Sequence, residues 1–151
     1  MKINIIPLLF IILLLPACDS IDPKDNTKAR EALVGTWKGN GDYDVENSGT
    51  EDYWKATRYA DGQYDLEILT LDPNKKTYEY YKEKGQWQVN DGYYTEVSTD
   101  NDETKYIILD LSSKRFDYND ASETDHSYYI QENRVKSSYS LRKPPSGYTE
   151  K

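Results

Sequence analysis

The chain has 151 residues and a formal net charge of −8, with 27 acidic side chains against 19 basic ones. This acidity excludes the basic surface that nucleic-acid binding requires, and it disfavours direct adsorption to an anionic lipid surface. The composition includes 15 tyrosines and 3 tryptophans. Because tyrosine favours half-buried strands, the composition indicates one β-sheet domain rather than a helical bundle.

The first 17 residues have the pattern of a secretory signal peptide. Lys2 supplies a positive charge, and the apolar run over residues 5–15 follows it. That run is shorter than the roughly 20 residues that a membrane-spanning helix needs. We therefore predict that residues 1–17 are a targeting segment that is removed from the mature protein.

Leu15, Pro16, Ala17 and Cys18 resemble the bacterial lipobox. The resemblance implies diacylglyceryl attachment to the Cys18 thiol and cleavage after Ala17, with further acylation of the freed amine. Two or more acyl chains give stable anchoring. The expected location is therefore the cell envelope, on a membrane and facing the periplasm. Asp19 resembles an inner-membrane retention signal, but it reads equally well as the start of an acidic linker, so inner and outer membrane both stay open.

The mature chain is predicted to begin with a tether at residues 18–27 and then to form a short helix. Asn26 or Thr27 can cap this helix, and Gly35 can end it. Cys18 is the only cysteine, so no disulfide is expected.

Gly35, Thr36 and Trp37 open a predicted strand that runs to Gly41. This triplet resembles the first strand of lipocalin-like barrels, in which the tryptophan plugs one end. Further strands are predicted at residues 53–59, 63–71, 77–84, 86–89, 93–99, 106–111, 114–118, 128–131 and 135–141. The Asp61-Gly62 pair is a strong hairpin signal.

Short strands at regular spacing are typical of an up-and-down barrel or a sandwich. With the lipocalin-like resemblance, we predict an all-β fold. It is a single antiparallel up-and-down barrel of about eight strands with a short N-terminal helix. The barrel domain is assigned to residues 28–143 and a flexible tail to residues 144–151.

Catalytic side chains are sparse. The single histidine, His126, lies in a polar stretch, and nothing in the sequence orients it as a base. Acidic runs at residues 42–46 and 100–103 lack the glycine of an EF-hand loop, so they are interpreted as solvated loops. We expect no enzyme activity, no cofactor and no metal site.

The aromatic side chains are the candidate binding residues. Stacking faces and hydroxyl groups inside a barrel suit a small hydrophobic or amphipathic ligand. Tyr81 is an alternative to Tyr78, and Tyr129 to Tyr128. The opposite interpretation, that the rings simply fill a narrow barrel, stays open. The proposed set is Trp54, Tyr78, Tyr93, Tyr106, Tyr128 and Tyr139.

Two functions follow from these features. The first is a lipid-anchored, non-enzymatic binding module for a small amphipathic molecule or an envelope partner. The alternative is an inhibitor or protective protein whose acidic surface suits a cationic enzyme such as lysozyme. The sequence names no protein partner.

Overall fold

A computed structural model of the chain describes residues 20–41, 49–122 and 129–151. The predicted signal peptide, Cys18 and Tyr128 lie outside these residues. The elements within them are α1 (Asn26–Leu33), β1 (Gly35–Gly41), β2 (Glu51–Arg58), β3 (Gln63–Asp72), β4 (Thr77–Asn90), β5 (Tyr93–Ser98), β6 (Glu103–Leu111), β7 (Arg115–Asp120), β8 (Ile130–Val135) and β9 (Thr149–Glu150). In these three ranges no helix has the length and apolar character needed to cross a bilayer.

Strands β1 to β8 form a closed barrel. Each strand pairs antiparallel with the next, and β8 pairs antiparallel with β1. Closure removes the sheet edges that an open meander of this length would leave unpaired. The prediction of an all-β, up-and-down barrel of about eight strands with a short N-terminal helix is confirmed.

Helix α1 covers one end of the barrel, which we call the helix end. The side chain of Asp25 caps the helix by accepting from the Lys28 N–H at 3.2 Å. Asn26, a predicted cap, instead accepts from the N–H of Asp91 in the turn between β4 and β5, at 2.8 Å. Ala29 and Leu33 are fully buried against the barrel core. The opposite end, where β2 begins and β3 ends, is called the far end.

The segment before α1 is also attached to the helix end. Ser20 forms an isolated β-bridge with Ser112, and the Ile21 N–H donates to the Leu111 carbonyl at 2.8 Å. The predicted tether at residues 18–27 is therefore held against the barrel from Ser20 onward.

Trp37 is fully buried in the core beneath α1, and the half-buried Arg134 packs on its ring. The Trp37 Nε1 donates to the Leu33 carbonyl at 2.8 Å, and the guanidinium carbon of Arg134 lies 4.4 Å from the centroid of the Trp37 ring. Arg134 also donates to the carbonyls of Val34, at 2.8 Å, and Ser113, at 2.6 Å. The guanidinium group of Arg134 thereby connects the barrel to the segment that leads into β1.

Aromatic rings make up much of the remaining core, as the composition predicts. Tyr94 lies at their centre, with its ring 5.4 Å from Phe116 and 5.8 Å from Tyr106. Phe116 and Tyr118 stack at 4.3 Å. Off-centre and edge-on contacts of this kind stabilise a core beyond the area that they bury.

Two strand predictions are wrong. Residues 77–84 and 86–89 belong to the single strand β4, which passes straight through Gly85. A Cβ at Gly85 would lie 2.1 Å from the Val97 carbonyl oxygen, so this glycine allows a close approach of β5 and does not break the strand.

The end of the chain also differs from the prediction. A single strand, β8, replaces the predicted pair at 128–131 and 135–141. A turn closed by the Tyr139 N–H and the Lys136 carbonyl, at 2.9 Å, redirects the chain away from the sheet. The predicted tail then includes β9, which pairs parallel with the start of β4.

Candidate ligand-binding cavity

The barrel contains a cavity of about 250 Å³ toward the far end. It extends from Glu132 in mid-barrel to Asp52 and Thr70, which lie near the start of β2 and the end of β3. This volume is below the roughly 300 Å³ at which pockets for drug-sized ligands begin, so it suits a smaller molecule. The lining residues are Asp52, Trp54, Leu66, Ile68, Thr70, Glu96, Tyr106, Tyr118, Ile130 and Glu132.

A buried ion pair lies beside this cavity. Arg58 donates from Nη1 to Oε2 of Glu132 at 2.6 Å and from Nη2 to Oε1 at 3.3 Å, and each side chain is only 1% exposed. Arg58 also donates from Nε to the Tyr94 hydroxyl at 2.7 Å. Burial is the largest single influence and acts to lower the pKa of Arg58, but the charge and hydrogen bond of Glu132, together with Tyr94 and Glu96, outweigh it and hold the pKa well above its usual value.

Glu132 accepts hydrogen bonds from two of the aromatic residues in the wall. The Trp54 Nε1 donates to Oε1 at 3.0 Å, and the Tyr118 hydroxyl donates to the same oxygen at 3.2 Å. Because one buried carboxylate receives donors from β2 and β7, both rings are fixed in place before any ligand arrives. A wall of this kind is preorganised.

Glu96 is a second carboxyl group near the same guanidinium. It accepts a hydrogen bond from the Tyr94 hydroxyl, while Nη2 of Arg58 lies 3.7 Å from its Oε1. Burial raises the pKa of Glu96, and the charge of Arg58 and the Tyr94 hydrogen bond only partly oppose that effect. The charge of Arg58 therefore does not fully offset the cost of burying an ionised Glu96.

Asp52 is the third carboxyl group of the wall. It is paired directly across the β2–β3 ladder with Thr70, whose hydroxyl donates to Asp52 Oδ1. Both side chains face inward, since Asp52 has the same parity on β2 as Trp54 and Ala56. At the far end of the cavity, the Asp52 carboxyl group therefore accepts a hydrogen bond from an uncharged donor, the Thr70 hydroxyl.

Of the predicted binding residues, the structure places two in the cavity wall. Trp54 and Tyr106 line it, and each is 8% exposed. Tyr78 lies instead in an outer groove beside the C-terminal segment. Tyr93 and Tyr139 pack under exposed lysines outside the barrel, with Lys105 Nζ 4.0 Å from the Tyr93 ring. Tyr128 lies outside the described residues.

The side-chain alternation of β5 explains the placement of Tyr93. Tyr94 and Glu96 face the interior, so Tyr93 faces out. Sequence reasoning missed Arg58, Glu96, Glu132 and Asp52 because charged residues were assigned to solvent. A signal was present for Arg58, which shares the parity of Trp54 and Ala56 along the predicted strand.

Across the described ranges, no group of three His, Cys, Asp or Glu side chains is placed to hold a metal ion. No family model matches this chain, and no curated protein is found to match it.

Proposed function

We propose that this protein is a non-enzymatic binding module with a lipocalin-like barrel, which takes a small amphipathic molecule into its cavity. The observation that carries the proposal is the cavity itself. Its wall combines aliphatic side chains, from Leu66, Ile68 and Ile130, with a few fixed polar groups centred on Glu132. Small-molecule sites typically have this mixture.

The arrangement of the aromatic rings favours a binding cavity over a completely filled barrel. Trp37, Trp87, Tyr94 and Phe116 pack together toward the helix end. Trp54 and Tyr118 are held against the wall by Glu132. A ligand therefore meets rings whose conformations are already restricted, which reduces the entropy cost of binding.

The proposal includes a location. Residues 15–18 resemble a lipobox, so we place the protein in the bacterial cell envelope, anchored by lipid on Cys18 and facing the periplasm. A Cys18→Ser variant of the full chain is expected to leave the membrane fraction, whereas a Ser20→Ala control is expected to remain there. If the Cys18→Ser variant stays in the membrane fraction, lipid anchoring through Cys18 is ruled out.

Binding is tested by filling the cavity. Ile68→Trp places a larger ring in the wall, and Leu109→Trp is the matched control because Leu109 is 44% exposed on the outside. The full chain is purified from its own membranes and extracted, and bound compounds are identified by mass spectrometry. A compound present with the wild type and with Leu109→Trp, but missing with Ile68→Trp, supports the proposal. Identical extracts from all three proteins contradict it.

A further inference from the structure

We infer that the molecule this cavity takes is a small organic cation, an amine or quaternary ammonium ion with an apolar body. The inference rests on the proposed binding function and specifies its ligand class. It starts from the charges of the wall, which among the described residues includes three carboxyl groups and no lysine, arginine or histidine.

The nearest cation, Arg58, does not neutralise all three acids. Its Nη1 and Nη2 both donate to Glu132, its Nε donates to Tyr94, and its side chain is 1% exposed. Its distance to Glu96, 3.7 Å, is longer than a hydrogen bond. Among the described residues, Asp52 has no basic side chain within ion-pair distance. With all three carboxyls ionised, the wall has excess negative charge.

Three hydrogen-bond donors of the wall are directed at these same acids: Trp54 and Tyr118 donate to Glu132, and Thr70 donates to Asp52. With the two bonds from Arg58, Glu132 accepts four hydrogen bonds, which fill the roughly four acceptor positions of a carboxylate. Asp52 accepts from Thr70 and Glu96 accepts from Tyr94, so oxygen lone pairs remain on these two carboxyl groups. The wall therefore offers acceptors to a guest, and an anionic guest would meet three carboxyl groups of like charge.

The rest of the wall suits the remainder of such a molecule. The rings of Trp54, Tyr106 and Tyr118 border the cavity, and an aromatic ring attracts a cation that lies over its face within about 6 Å. Leu66, Ile68 and Ile130 offer aliphatic contact. A volume of about 250 Å³ corresponds to roughly eight water-sized groups at about 30 Å³ each. A single ring with a short amine chain has this size.

A bound cation would favour the ionised form of Glu96, whose Oε1 lies 3.7 Å from the Arg58 guanidinium. Burial raises the pKa of Glu96, so an added positive charge in the cavity would favour its ionised form. Binding of a cation is then linked to release of a proton from Glu96. The affinity for a cation should consequently rise with pH in the range where Glu96 ionises, while the affinity for a neutral molecule should not.

Three probes of nearly equal shape test the ligand class: 2-phenylethylammonium, 2-phenylethanol and phenylacetate. Each is titrated into the full chain in a non-ionic detergent by calorimetry, with the detergent alone as the blank. We expect the ammonium ion to bind at least tenfold more tightly than the alcohol, and phenylacetate not to bind. Ile68→Trp should abolish binding of every probe that binds.

Variants that remove one carboxyl charge test whether the wall acids cause the preference for the ammonium ion. Glu96→Gln and Asp52→Asn should each weaken binding of 2-phenylethylammonium by about fivefold or more. Neither variant should change the affinity for 2-phenylethanol. Glu103→Gln is the matched control, since it removes the same charge from an exposed position on β6. The two wall variants act at separate places, so failure of one to fold leaves the other as the test.

The outcomes separate the two proposals. If the alcohol binds as tightly as the ammonium ion, or if Glu103→Gln weakens the ammonium ion as much as the wall variants do, the cation inference is overturned and the binding function stands. If no probe binds and the extracts of the wild type match those of Ile68→Trp, both proposals fall.

Discussion

Gly39 lies directly opposite Trp54 in the antiparallel pairing of β1 with β2, and the indole ring occupies the space that a side chain at position 39 would need. A Cβ at Gly39 would lie 2.1 Å from Cζ2 of Trp54. From this position the indole nitrogen reaches Glu132 at 3.0 Å. A glycine on β1 thus positions a ring that lines the cavity.

Gly39→Ala should therefore displace Trp54. We expect the free energy of unfolding to fall by about 1–3 kcal/mol, the usual cost of overpacking a filled core. Urea denaturation followed by tryptophan fluorescence measures the change. The double variant Gly39→Ala/Trp54→Phe should lose less stability than the sum of the two single changes. If the stability losses of the two single variants add up in the double variant, the methyl group of the alanine does not contact the indole of Trp54.

Arg58 and Glu132 provide a second test. Because both side chains are 1% exposed, Arg58→Met should leave a buried carboxylate without its ion-pair partner and lower the free energy of unfolding by about 3–5 kcal/mol. Arg58→Met/Glu132→Gln should be more stable than Arg58→Met alone, since the amide is uncharged and its oxygen can still accept from Trp54 and Tyr118. A loss below about 1 kcal/mol for Arg58→Met would contradict a buried pair.

Glu96 makes stability depend on pH. Burial raises its pKa in the folded protein above the usual 4.5, although Arg58 and Tyr94 oppose the shift and Glu132 and Glu83 add to it. Its contribution to folding is therefore present below the pKa of the unfolded chain. It is lost as the pH rises through the pKa of the folded protein.

The stability difference between the wild type and Glu96→Gln isolates this effect. Urea denaturation from about pH 4 to pH 8 should show the wild type losing stability relative to the variant as the pH rises. Glu103→Gln serves again as the control at an exposed position. A relative gain of stability by the wild type with rising pH would mean that the carboxylate, not the acid, is favoured in the fold.

Arg134 joins the barrel to the chain that enters it. Arg134→Lys keeps the charge but removes the planar group that lies on Trp37 and donates to the carbonyls of Val34 and Ser113. We expect thermal or urea unfolding to show a loss of about 1.5–3 kcal/mol. Arg142→Lys is the matched control, because Arg142 covers Tyr53 at 4.3 Å on the exposed outside. Equal losses for the two variants would contradict a special role for Arg134.

Much of the fold could be predicted because local signals agreed with one another. Thr27 through Leu33 lies within α1, and β1 spans Gly35–Gly41 as expected. Asp61-Gly62 makes the turn before β3, with the Gly62 N–H donating to the Tyr59 carbonyl at 3.1 Å. The predicted division of β4 into 77–84 and 86–89 is wrong because a glycine that admits a neighbouring strand has the same letter as one that breaks a strand. Only the β4–β5 register distinguishes the two cases.

The cavity was harder to predict. Trp54 could be placed on the inner face from alternation along a strand bounded by a turn. Alternation alone did not show whether Tyr93 or Tyr94 faces the interior, because two neighbouring tyrosines fit either choice of inner face. The acids could not be predicted for a different reason: Glu132 pairs in the interior with Arg58, which lies 74 positions earlier on the strand at the other side of β1. Such a pair is a property of closure, which no local pattern encodes.

The bridge between Ser20 and Ser112 has a consequence for how a guest would reach the protein. Cys18 is two positions before Ser20, and a chain spans at most about 3.6 Å per residue, so an acylated Cys18 would hold the α1 side of the molecule within about 7 Å of its lipid. The end of the cavity beside Asp52 and Thr70 would then lie on the side of the barrel that is away from the bilayer. A ligand that entered at this end would come from the aqueous phase and not from the membrane.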